Sequence, residues 1–245
     1  MKTSDKLLLF FFLSVLGLYG AIHLALYARS KQGKMVTSPA QEEGWGIQYK
    51  GEAPSFLSLQ GNVNVRLIPS DTFFIEFDKH ESSKINCRRS GADSLLIQGE
   101  SIPMNPHDIF QHYSDYPWIE IHAGPHTRIQ LTNLLALLKG PKIAGRADWN
   151  LQAINTQLWI GEAYGMAPDS TAAEFYDSVQ VHARNTNLVL HRNAVIGKLN
   201  VQLDDQSELD DQHATIGQPE IHYTDRSRIN LTGANLDKLK TILCN

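Results

Sequence analysis

Two segments thirty positions apart carry the same alternation of apolar and polar residues. Trp149-Asn150-Leu151-Gln152-Ala153-Ile154-Asn155-Thr156-Gln157-Leu158-Trp159-Ile160 recurs as Val179-Gln180-Val181-His182-Ala183-Arg184-Asn185-Thr186-Asn187-Leu188-Val189-Leu190. A period of two on each side of an Asn-Thr step predicts two short strands, each with one buried face, and a corner between them. A unit this small cannot bury its own apolar face. The repeat therefore predicts a stacked array in which each coil covers the next.

Alternation extends through most of the chain beyond position 54. Phe56-Leu57-Ser58-Leu59 leads to Gly61, and Val63, Val65 and Leu67 then alternate with Asn62, Asn64 and Arg66. Phe73, Ile75 and Phe77 follow a Pro69-Ser70-Asp71 turn, Ile85 alternates with Cys87, and Gly91-Ala92-Asp93 turns the chain into Leu95 and Ile97. Trp118, Ile119 and Ile121 resume the pattern after a segment rich in proline and aromatic residues, 99–117, read as an outside loop. Ile129-Gln130-Leu131-Thr132-Asn133-Leu134 begins another coil, which Ile229-Asn230-Leu231-Thr232-Gly233-Ala234-Asn235-Leu236 resembles. No stretch of helical period competes, so the expected fold class is all-β, a single-chain β-solenoid over 54–240 with a tail at 241–245. Gly145, Gly161, Gly197 and Gly217 fall where corners of positive φ are expected.

Ahead of the array lies an apolar run, Leu7 to Tyr27, broken only by Ser14 and His23, after a short flank at 1–6. As a helix it reaches about 31 Å, which matches a bilayer core of about 30 Å. A cleaved signal peptide would have a shorter apolar region and small residues at its exit, whereas Leu26-Tyr27-Ala28 places a large one there. The reading is a single N-terminal transmembrane helix, an anchor, with 28–53 as a linker of Gly, Ser, Pro and mixed charge. Positive charge flanks the run on both sides and does not orient it. A long C-terminal domain translocates largely regardless of charge, so the expected location is the cell envelope: inner-membrane anchored, with the domain periplasmic.

Lys2, Lys6, Arg29, Lys31 and Lys34 against Asp5 give residues 1–34 a charge of +4, so of the total of -4, residues 35–245 carry -8. A portion this acidic repels phosphate backbones, which excludes nucleic acid as a partner. Two cysteines do not make a disulfide framework, and Cys87, alternating with Ile85, reads as a buried thiol.

The residues that invite chemistry do not assemble into a known signature. Asp204, Asp205, Glu208, Asp210 and Asp211 place five carboxylates in eight residues, but their spacing fits no calcium loop and they read as a solvated acidic turn. His122 and His126 flank a Gly124-Pro125 turn that would point their rings apart. His182 and His191 flank the repeat, on the coil surface or in a stacked ladder. With no nucleophile motif, phosphate loop or Cys-x-x-Cys pair, the chain reads as no enzyme, and no catalytic, cofactor-binding or metal residue is assigned. Tyr113, Tyr116 and Trp118 are the candidate partner-binding residues, because aromatic faces give large contact area at low entropic cost; Trp159 sits within a strand and is either inside the array or on such a surface.

From Gly61-Asn62-Val63-Asn64-Val65-Arg66-Leu67 through the Phe73 to Phe77 strand, to Gly91, Leu95 and Ile97, the chain resembles the family named putative auto-transporter adhesin, head GIN domain. The likeness continues through the Asn- and Gly-containing coils at 129–136, 145–160, 179–203 and 229–236. It implies an exported bacterial β-solenoid of the cell envelope with adhesion as its role. The functional expectation is a membrane-anchored, non-catalytic surface or polymer-binding module whose partner is a cell-surface protein or polysaccharide. The alternatives are a lyase-like carbohydrate-active β-helix and a structural spacer or envelope-signalling component.

Overall fold

The computed structural model of the protein describes residues 45–78, 84–91, 93–100, 116–141, 147–161 and 172–243. The apolar run at 7–27, Tyr113, Gly145 and Cys244 lie outside them. Among the described residues no helix is long and apolar enough to cross a membrane.

The described residues are all-β apart from one short helix. Its strands in order are β1 (Trp45–Lys50), β2 (Phe56–Gln60), β3 (Asn64–Pro69), β4 (Phe74–Asp78), β5 (Asn86–Arg89), β6 (Ser94–Gln98), β7 (Trp118–Ala123), β8 (Arg128–Thr132) and β9 (Leu135–Leu138). There follow β10 (Asp148–Ile154), β11 (Gln157–Ile160), β12 (Glu174–Arg184), β13 (Asn187–Leu190), β14 (Ala194–Asp204), β15 (Glu208–Asp211), β16 (Thr215–Tyr223) and β17 (Arg228–Asn230), then helix α1 (Gly233–Leu243). β1 lies inside the segment expected to be a linker, and its Trp45, Ile47 and Tyr49 already alternate with polar or small residues.

Two mixed sheets result. One is nine-stranded in the order β1-β4-β7-β3-β9-β11-β13-β15-β17, the other eight-stranded in the order β16-β14-β12-β10-β8-β2-β6-β5. From β8 to β17 consecutive strands alternate between the sheets, and each pairs in parallel with the strand two places on. Antiparallel pairs occur only where β1, β4 and β7 meet and where β5 meets β6. The thirty-residue repeat is the register itself: Trp149 pairs with Val179 and Gln157 with Asn187.

The sheets share one apolar core, in which matching positions stack rung on rung. Leu95, Leu57, Ile129, Leu151, Val181, Val201 and Ile221 line up across the eight-stranded sheet, and all are buried. Ile119, Val65, Ala136, Leu158, Leu188 and Leu209 do the same across the other. Each large aliphatic side chain hidden this way contributes about 1.5–3 kcal/mol.

Chain order and stacking order part company at the N-terminal end. The β2–β3 unit lies between β6–β7 and β8–β9, parallel to both. The close approach falls on glycines. A Cβ on Gly61, where φ is +92°, would sit 2.7 Å from the Glu100 carbonyl oxygen, and one on Gly99 would sit 2.4 Å from Val63 Cγ1.

The Asn-Thr steps are the corners, and their geometry corrects the expectation for glycine. The left-handed positions are Asn155 and Asn185 there and Asn133 and Asp205 at the neighbouring corners, with φ between 48° and 57°. Asn155 Nδ2 donates to Asn133 Oδ1 at 3.1 Å and Asn185 Nδ2 to Asn155 Oδ1 at 2.7 Å, an amide ladder up the corner. Beneath it the buried Thr156 N–H donates to Thr186 Oγ1, and the Thr186 N–H to Ser207 Oγ. Gly161 is a corner with φ +86°, but Gly197 and Gly217 lie inside β14 and β16. A side chain there would strike the strand beside it, since a Cβ on Gly197 meets the Asp177 carbonyl oxygen at 2.8 Å and one on Gly217 meets that of Gly197 at 2.6 Å.

The second correction is at the C-terminal end. The segment 229–236 is not a counterpart of 129–136: β8 belongs to the eight-stranded sheet and β17 to the nine-stranded one, and a helix starts at Gly233. Leu236, Leu239 and Leu243 recur at helical spacing, and Thr232 accepts the first helical bonds from Asn235 and Leu236. Buried Asn235 fastens the helix: its Nδ2 donates to Asp211 Oδ2 at 2.6 Å and to the Ala214 carbonyl at 2.8 Å, and its Oδ1 accepts from the Ile216 N–H at 3.3 Å.

Candidate binding surfaces

Because the inward positions of each strand are aliphatic, the alternate positions form two outer faces. On the eight-stranded sheet the register stacks Gln130, Gln152, His182, Gln202 and His222 in one row and Asn150, Gln180, Asn200 and Glu220 in the next. His182, Gln202, His222, Gln180 and Glu220 are exposed. Rungs about 4.8 Å apart put amide and imidazole groups in a flat field, each amide offering both donors and an acceptor. Cross-links within the field are sparse: Asn200 Nδ2 donates to Glu220 Oε2 at 3.2 Å, and the His222 ring lies 3.2 Å from Glu220 Oε1.

Sequence reading missed this field, although its signal was present. The polar partners of the buried alternation recur at 152, 182, 202 and 222, and only the strand register shows that they share one row. Where the rows meet the corner there is an open cleft of about 580 Å³, lined by Gln152, His182, Arg184, Asp204, Asp205 and Arg226 among others. His182 Nε2 lies 2.6 Å from Asp204 Oδ2, and Arg184 Nε donates to Asp205 Oδ2 at 2.6 Å. The bond from His182 holds the Asp204 carboxyl below the usual aspartate range.

The acidic run therefore divides. Asp204 and Asp205 pair with His182 and Arg184 at this corner, and Asp210 accepts from Asn230 Nδ2 at 2.8 Å. Asp211 is buried and serves the helix start, accepting from Asn235, from Thr232 Oγ1 and from the Ala214 N–H. Its carboxylates face different ways rather than one ion.

The opposite face of the nine-stranded sheet holds the predicted aromatics. Trp118 is half-buried and packs against a small apolar cluster of Leu135, Leu137, Trp159 and Val189, separate from the main core. Trp159 is buried there, on the far side of its strand from Leu158 and Ile160. The Arg66 guanidinium lies 5.1 Å from the centre of the Trp118 ring and also pairs with Glu120. Tyr116 stands beside them through its backbone, whose carbonyl accepts from Asn64 Nδ2 at 3.1 Å. His191 meets the Trp159 ring edge-on at 5.7 Å, and burial holds its imidazole below the ordinary histidine range.

Beyond Trp118 on the same face, the antiparallel pairing of β4 with β7 sets Glu76 opposite Glu120 and Phe74 opposite His122. One ligating atom each from Glu76, Glu120 and His122 lies within 4.8 Å of the others. The sequence had set His122 beside His126, but His126 is exposed on the turn after β7, and the two carboxylates are the neighbours of His122 instead. Glu120 and His122 share a face because they are two apart on one strand, whereas the arrival of Glu76 depends on a pairing that no local pattern encodes. Cys87 is half-buried, and burial raises its thiol pKa to about 11, which makes it a poor nucleophile.

No family model matches the chain, and no curated protein matches it by sequence. Among solved structures, a crystal structure described as a putative adhesin from Parabacteroides distasonis is similar at a TM-score of 0.51 and 11% identity, over 77% of this chain and 74% of that one. A structure described as a putative adhesin from Bacteroides fragilis gives 0.35 at 8% identity, over 76% of this chain and 95% of that one. One described as a putative lipid binding protein, again from Parabacteroides distasonis, gives 0.26 at 10% identity, over 77% and 97%. The first of these is a likeness of fold; the other two are too distant to bear on it.

Proposed function

We propose that the chain is a non-catalytic binding module of the bacterial cell envelope, a β-solenoid tethered by residues 7–27 and lying outside the cytoplasmic membrane. Its ligand is a polysaccharide, taken on the exposed face of the eight-stranded sheet. The observation that carries this reading is the in-register polar field from Gln130 to His222. A sugar polymer presents hydroxyls at repeated spacing, each both donor and acceptor, and stacked amides and imidazoles complement them over many rungs without a deep pocket. Individual bonds of this kind contribute about 0.5–1.5 kcal/mol, so affinity comes from several coils acting together.

The solenoid reading draws support from strands that alternate between two sheets with parallel pairing throughout the C-terminal half. The fold-level likeness to a structure described as a putative adhesin agrees with it, as does the sequence resemblance to the head GIN domain family. A lyase would need carboxylates from separate coils facing one groove. Of the carboxylates at the open cleft, Asp204 and Asp205 are instead paired with His182 and Arg184.

Co-sedimentation of the purified chain with insoluble cell-wall polysaccharide tests the proposal. The chain is expected to pellet with the polymer, and the triple variant Gln180→Ala/His182→Ala/Gln202→Ala to lose at least tenfold in retention with an unaltered melting temperature. Equal retention of the variant would overturn the assignment of this face. Release of soluble fragments would overturn the non-catalytic reading.

A further inference from the structure

At the β4–β7 end, Glu76 and Glu120 sit directly opposite one another, an arrangement that destabilises a sheet unless a cation intervenes. Arg66 supplies one cation, but to Glu120 only. Half-buried Glu76 has no hydrogen-bond or ion-pair partner among the described residues. The His122 Nε2 is buried and likewise has no hydrogen-bond partner. Glu76 and His122, each without a hydrogen-bond partner among the described residues, thus converge with Glu120, which Arg66 neutralises through one oxygen.

We propose that Glu76, Glu120 and His122 form a binding site for a divalent transition-metal ion of the Zn²⁺ class. The donor set decides the class. Calcium and magnesium take six or more oxygens, whereas one imidazole with two carboxylates suits a borderline ion that accepts nitrogen and oxygen together. Three protein ligands leave a fourth position open, to water or to a group on a partner.

The geometry needs little adjustment. Tetrahedral bonds of about 2.1 Å place ligand atoms about 3.4 Å apart. The atoms already lie within 4.8 Å, and rotation of two flexible glutamate side chains closes the rest. The imidazole is held for the purpose, because the Phe74 ring stacks on it at 3.8 Å with 14° between planes. Arg66 occupies Oε1 of Glu120, and Oε2 has no hydrogen-bond partner among the described residues. This site stands on its own geometry and does not depend on the polysaccharide reading.

Zn²⁺ titration of the untagged full-length chain in detergent, after chelator treatment and dialysis, tests it by calorimetry. One equivalent is expected to bind with micromolar or better affinity. Glu76→Gln, which keeps shape and fold, and His122→Ala should each weaken that event at least tenfold, while His126→Ala and His213→Ala leave it unchanged. Arg66→Met removes the competing cation and should tighten binding several-fold, an effect that a purely structural role for these residues would not give. Co²⁺ loaded in place of Zn²⁺ should show visible d–d absorption that disappears in Glu76→Gln. Absence of a stoichiometric event in the parent chain, or one left intact in both Glu76→Gln and His122→Ala, would overturn the proposal.

Discussion

Asn155 shows how much one side chain carries at a corner. Its φ of 49° lies in the left-handed region, which asparagine tolerates better than most residues because its short amide bonds locally. That amide donates to Asn133 and accepts from Asn185, so it is the middle rung of the ladder. Asn155→Ala loses both bonds and adds backbone strain, for an expected cost of about 2–4 kcal/mol. Asn155→Gly loses the bonds but relieves the strain, so chemical denaturation should rank it between alanine and the parent; a glycine variant as unstable as alanine would mean that the corner geometry is unimportant. His191 gives a second test at this scale. Its lowered pKa means that the unfolded chain binds a proton where the folded chain does not, so stability falls as pH drops below about 6.5 and is level above it. Urea melts at pH 7.5 and 5.5 should show the decline, and His191→Gln should make it shallower.

Among the elements, α1 decides how the array ends. β16 is the terminal strand of its sheet, and a free edge of this kind invites pairing with another chain. Two devices blunt it. Pro219 lies on this edge, where a missing N–H is tolerated, and α1 packs against it with Leu239 in the core and Lys238 Nζ donating to the Ile216 carbonyl. A chain ending at Thr232 is expected to self-associate, read as an increase in mass by light scattering, and a monomer would show that the strand protects itself. Asn235→Ala in the intact chain leaves Asp211, the Ala214 carbonyl and the Ile216 N–H short of a partner, and should cost about 3 kcal/mol. The helix was missed in the sequence because Ile229-Asn230-Leu231-Thr232 continues the β alternation up to its first turn. Its own signal, leucines at 236, 239 and 243, spans only about two turns.

For residues 45–243 as a whole, protection should follow position in the stack. Central rungs such as β8–β11 are covered on both sides by parallel neighbours, whereas β5 and β1 end their sheets through antiparallel pairs. Amide exchange is expected to be slowest in β8–β11 and fastest in β5, β16 and β17, and uniform rates would indicate a single cooperative unit instead. The sequence alone determined the β character and the corner at Asn-Thr, which follow from a period of two in residues a few positions apart, and the thirty-residue register, which follows from the recurrence of 149–160 at 179–190. Tertiary structure decided what depends on which strands become neighbours. The β2–β3 unit is inserted between later ones, polar residues at 152, 182, 202 and 222 join one row, and Glu76 is brought to Glu120 and His122. The physical reason is that alternation specifies which face of a strand is buried, and outside the thirty-residue repeat it carries no information about which strand will lie beside it.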